Sequence, residues 1–175
     1  MFKYEGDNFN VIQAVKKANE DSLRFWVVKR VEESSEYDMS NTPPAYLASE
    51  LKLSLMSDDM HINIYYPRWR LSVAIGYYSK SKPNIINING YKVNNIGTIE
   101  LVSLMYHEFC HYIDANLPDG FYANHGSNSG VGKSNTFQYS VNRYVYEYFN
   151  YKKDKPKSKP TMSWYRRLLN YIWRI

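Results

Sequence analysis

The sequence predicts an α+β fold in which helices pack on a small, three- to four-stranded, mainly antiparallel sheet. Three observations point there. Residues 61–66, 71–77 and 84–89 alternate apolar with polar or small side chains, the period of a strand with one buried face. The links between them, "PRW" and "SKSKP", are short and turn-like, as an antiparallel meander requires. Between residues 95 and 115, by contrast, apolar residues recur with helical period and stop at the breaker run "NLPDG".

The elements follow in chain order. "DNFNVIQAVKKANEDS" offers Asp7 or Asn8 as a cap and then spaces Phe9, Ile12, Val15 and Ala18 every three residues, which predicts a short helix. "LRFWVVKRV" is rich in β-branched and aromatic residues and reads as a strand, with continuation of the helix as the alternative. "EESSEYDMSNTPP" is a polar loop. A second helix follows over "PPAYLASELKLSLM", with Pro43 or Pro44 in its first turn. Then come the three strands, "HINIYY", "RLSVAIGYY" and "NIININ", and the long helix.

That long helix carries two unlike stripes. Val102, Met105, Phe109 and Ile113 form an apolar one, and Glu100, Ser103, His107, His111 and Asp114 a polar one about half a turn away. The loop "ANHGSNSGVGKSN" leads to a last body helix, "TFQYSVNRYVYEYFNY". Residues 1–151 thus make one body, 152–160 a Lys/Pro linker, and 161–175 a basic, aromatic, amphipathic tail helix.

Composition sets limits. At 175 residues, with 44% hydrophobic and 22% charged residues, the chain is globular rather than disordered. No apolar run is long enough for a membrane span, and "MFKYEGDNFN" lacks the basic-then-apolar pattern of a secretory signal. Cys110 is the only cysteine, which excludes an internal disulfide and any zinc ribbon of paired cysteines. The net charge of +5 is unevenly spread: residues 152–175 hold eight Lys/Arg and one Asp, leaving 14 Lys/Arg against 16 Asp/Glu in the rest. The body is nearly neutral and the tail strongly basic.

The chemistry lies in "MYHEFCHYID". Helix positions i and i+4 point the same way, so His107 and His111 can each give one nitrogen to a single Zn²⁺. Glu108, rotated off that line, reaches the zinc-bound water without joining the metal, the position of a general base. A catalytic zinc site takes three protein ligands and keeps a fourth position open. Two residues are candidates for the third, His125 in "YANHGSNSG" and Glu147 in "YVYEYF", with His125 favoured because glycine lets the backbone fold back over the metal.

A helix, three strands, "HEFCH", and a His–Gly pair further on resemble the SprT-like (Spartan-type) zinc metalloproteases over roughly residues 43–149. The arginine after the first strand, in "RWRLSVAIGYY", and the asparagine-bearing "PNIININ" belong to the same likeness. The resemblance implies a zincin-like fold and a zinc-dependent endopeptidase acting on protein or peptide. It implies that His107, His111 and His125 bind zinc and that Glu108 is catalytic. Two departures stand out: "SNSGVGKSNT" intervenes before the next aromatic, Phe137, and the four-cysteine ribbon of many members is missing.

Other residues have plainer roles beside their functional ones. Asp114 is placed to orient a ligand imidazole or simply to face water near a helix end. Tyr112 and Tyr122 flank the site, where a phenol can donate to a developing oxyanion. Cys110 points away from the histidine line and reads as core, and His61 as an exposed strand residue. The tail gathers Trp164, Leu168, Tyr171, Ile172 and Ile175 on one face with Arg166, Arg167 and Arg174 largely elsewhere. That suits docking on a protein partner, then folding back on the body, ahead of a membrane surface or nucleic acid. The alternative function is an interaction module of this fold, for example in a phage virion, anchored by the tail. The Asn-, Lys- and Tyr-heavy composition fits an AT-rich bacterial or phage genome, and so the cytoplasm of a bacterium or infected host, or a virion.

Overall fold

The structure, a computed structural model, describes residues 1–38, 40–68, 75–117 and 135–154. Among them the order is β1 (Phe2–Lys3), α1 (Phe9–Ala18), α2 (Asp21–Glu32), α3 (Pro44–Ser57), β2 (Met60–Tyr65), β3 (Gly76–Tyr78), β4 (Ile85–Asn89), α4 (Thr98–Asn116) and α5 (Phe137–Asp154). The fold is α+β.

Two expectations are corrected. "LRFWVVKRV" is not a strand but most of α2. Leu23, Val27 and Val31 recur every four residues and are buried, so packing of one helical face outweighs the strand preference of β-branched residues. The sheet is mixed rather than mainly antiparallel, with order β1-β2-β4-β3. β2 runs parallel to both β1 and β4, and only β3 is antiparallel to its neighbour β4. The chain therefore leaves β2, forms β3 at the far edge, and turns back to insert β4 between them. Asn84, just before β4, has φ 64°, a left-handed conformation that asparagine tolerates better than most side chains.

The other elements form for reasons visible locally. Asn8 caps α1 by accepting from the Val11 N–H at 3.2 Å. Pro44 opens α3, where its missing N–H costs nothing. The long helix starts later than its periodicity suggests, because Val93–Asn95 makes a separate 3₁₀ turn. Gly97 then precedes α4, its N–H donating to Glu100 Oε2 at 2.9 Å. α5 runs on to Asp154, so the first residues of the expected 152–160 linker are helical.

Met60 and Ile62 of β2 and Ile86 and Ile88 of β4 point into the core, while His61 and Asn63 stay exposed. Through the middle runs α4, whose Val102, Met105, Phe109 and Ile113 are all buried, as the apolar stripe predicts. Cys110 is also core. β1 is tied in by Asn19, whose side chain accepts from the Phe2 N–H at 3.0 Å and donates to the Phe2 carbonyl at 2.8 Å. Phe2 in turn packs against Tyr106 and Phe109. α5 covers the other flank of α4 and lies along α2, with Trp26 Nε1 donating to the Tyr144 carbonyl at 3.1 Å.

Candidate metal centre

His107 and His111 stand one turn apart on α4, their ring centres 5.2 Å apart and their planes at 72°. An ion about 2.0–2.1 Å from one nitrogen of each ring lies about 3.2 Å from each ring centre, and a tetrahedral angle then separates the centres by about 5.2 Å. The spacing of the two rings thus fits a shared ion. His107 is 7% exposed, and the Tyr139 ring of α5 packs edge-on against it at 4.9 Å.

Glu108 faces the sheet instead. Its carboxylate accepts from the Tyr78 backbone N–H at 2.9 Å. β3 makes this possible. The Asn89 N–H donates to the Ile75 carbonyl at 2.8 Å, so in the antiparallel register residues 75 and 77 point their backbone groups at β4. Gly76 and Tyr78 point theirs outward, towards the histidine helix. Gly76 itself must lack a side chain, because a Cβ there would meet the Asn87 carbonyl and the Leu104 side chain at 2.9 Å.

Glu108 is buried, and burial raises its pKa from the usual carboxylate range to about 7, against the opposing pull of the Tyr78 N–H. One side opens on a cleft of about 370 Å³ lined by Gly76, Tyr77, Tyr78, Lys80, Glu108, His111 and Asp114. This group combines two imidazoles and a buried carboxylate that opens on the cleft.

The remaining candidates divide. Asp114 lines the same cleft as His111. Tyr112 does not offer its phenol to the cleft: the hydroxyl donates to Asp58 Oδ2 at 3.0 Å, and burial with that contact pushes its pKa up to about 12. Glu147 is drawn the other way, paired with Arg30 of α2 at 3.1 Å. It lies eight residues beyond Tyr139, about 12 Å along α5. No group of three His, Cys, Asp or Glu suited to a metal forms among the described residues. His125 and Tyr122 lie outside the described residues, as does the tail 161–175.

Sequence reasoning missed Tyr78, Lys80 and Tyr139. Tyr78 acts through its backbone, for which no side-chain signal exists. Tyr139 follows from placing α5 beside α4, a tertiary fact. No helix among the described residues is long and apolar enough to cross a membrane. Comparison of the chain with protein-family models, curated proteins and solved structures gave no match. The SprT-like resemblance therefore stands on the motif residues alone.

Proposed function

We propose that the chain is a zinc-dependent endopeptidase whose metal is held by His107, His111 and, further along the chain, His125. The observation that carries the reading is the placement of Glu108, buried next to a histidine pair of fitting separation and held by an edge strand. A bound zinc ion would supply Lewis acidity and lower the pKa of its water.

The chain's own residues do the rest. Glu108 takes the proton from the attacking water and returns it to the departing amide nitrogen. Its elevated pKa suits both transfers, since a carboxyl near neutrality exchanges protons readily in either direction; a neighbouring cation draws that value down. β3 offers the outward carbonyls of Gly76 and Tyr78 to an extended substrate, whose scissile bond then lies over Glu108. Asp114, on the same cleft as His111, steadies that imidazole.

The test uses the purified full chain, with metal content and cleavage of an unstructured protein substrate measured together. One zinc per chain is expected. Glu108→Gln should lower hydrolysis by a factor of about 10² or more while keeping the metal. His111→Ala should lose both. Absence of stoichiometric zinc, or full activity in Glu108→Gln, would overturn the reading and leave the fold as an interaction module.

A further inference from the structure

α2 and α3 leave between them a groove of about 970 Å³, with Phe25, Val28, Ala48, Leu55 and Met56 among its lining. Two of these are large and nearly bare: Phe25 is 71% exposed and Met56 72%. We propose that the groove is the seat of the chain's own C-terminal segment, 161–175, which docks there as a third helix beside α2 and α3.

The route is short. α5 runs antiparallel to α2: Glu147 meets Arg30, Tyr148 meets Ser22, and Lys152 meets Glu20. It therefore ends at the N-terminal end of α2, and its last turns are fixed there by the stack of Tyr151 on Trp26. The groove starts at the same end, beside Asp21 and Asp59. Six residues, 155–160, extend at most about 20 Å, and crossing one helix requires about 10–12 Å.

Length and chemistry agree. A helix over the 15 residues 161–175 is about 22 Å long, against about 18 Å for α2 and about 21 Å for α3. Its apolar face, Trp164, Leu168, Ile172 and Ile175, matches a groove floor of aliphatic and aromatic carbon. Arg167 and Arg174 fall on one flank of that face, and the groove's α2 rim carries Asp21 and Glu32 beside Arg24 and Lys29. A six-residue tether also gives the segment an effective concentration in the millimolar range, which favours it over a free competitor.

Disulfide trapping in the full chain tests this. Ser49 is exposed at mid-groove, and the native Cys110 is buried and does not compete. The pair Ser49→Cys/Leu168→Cys should form an intramolecular bridge at least tenfold faster than Lys16→Cys/Leu168→Cys, whose first site is exposed on α1, a helix that also touches α5. Adding Phe25→Asp, at a bare position outside the core, should slow the groove bridge at least tenfold with the circular dichroism unchanged. Equal rates for the two pairs would overturn the proposal, as would indifference to Phe25→Asp. Predominant bridged dimers at low concentration would also overturn it, assigning the groove to a second copy. No readout involves metal or peptide hydrolysis, so this result and that of the peptidase test are independent.

Discussion

At the residue scale, Glu108 is a carboxyl whose burial costs stability at neutral pH. In the metal-free protein its folded pKa, about 7, lies above the ordinary carboxylate value of 4.5. A group raised in this way contributes its full stability below about pH 4.5 and loses it as pH rises through 7. The difference corresponds to about 3 kcal/mol. Metal-free Glu108→Gln, neutral at every pH, should therefore match the wild type near pH 4.5. By pH 8 it should be more stable by about 3 kcal/mol in urea titrations. Equal stability at pH 8 would mean that the carboxyl is hydrated rather than buried. Such a gain on removing the proposed base is what a site kept for chemistry rather than for folding predicts.

At the scale of elements, β3 depends on one absent side chain. Gly76→Ala drives a Cβ into the Asn87 backbone carbonyl, which cannot swing aside as Leu104 can. Thermal or urea unfolding should show a loss of about 1–3 kcal/mol. Hydrolysis should fall as well, because displacement of β3 shifts the Tyr78 N–H from Glu108. Unchanged stability and activity together would indicate that β3 does not position the site.

How far the elements were legible follows from the same physics. α4 was readable because its apolar stripe and its histidines obey one period. α1, α3 and α5 were readable from caps, a proline and periodicity. α2 was not, since Val27, Val28 and Val31 favour strands until the burial of Leu23, Val27 and Val31 on one helical face decides otherwise. Alternation located β2 and β4 but is identical in parallel and antiparallel strands, so it carried no information about order. β1, two residues long, has no period at all. In the site, His107, Glu108 and His111 were legible as a local motif. The link from Glu108 to Tyr78 joins positions 30 residues apart through a main-chain atom, which no residue pattern encodes.

At the scale of the whole molecule, the core holds phenols that tie distant elements together. Tyr106 of α4 is buried and donates to the Ala18 carbonyl at the end of α1, at 2.9 Å. Burial raises its pKa above the ordinary phenol value of 10, and the same holds for Tyr37 beside Ser34. The sign follows directly: the contribution is whole below about pH 10 and is lost as pH rises further, when only the unfolded chain ionises. Stability should accordingly fall above pH 10. Tyr106→Phe should flatten that alkaline decline at a cost of about 1 kcal/mol at pH 7. A decline of the same steepness in the variant would show that Tyr106 takes no part in it.

The proposed base is steadied by a peptide amide, and this has a practical consequence. Alanine scanning along 77–80 leaves that amide in place at every position, so a survey by side-chain truncation there would pass over the contact. Only editing the main chain at Tyr78, with proline or an ester linkage, removes the donor itself. Beyond Gly76, the site thereby tolerates drift in residue identity along its rim while remaining exposed to a one-residue slip of the edge strand.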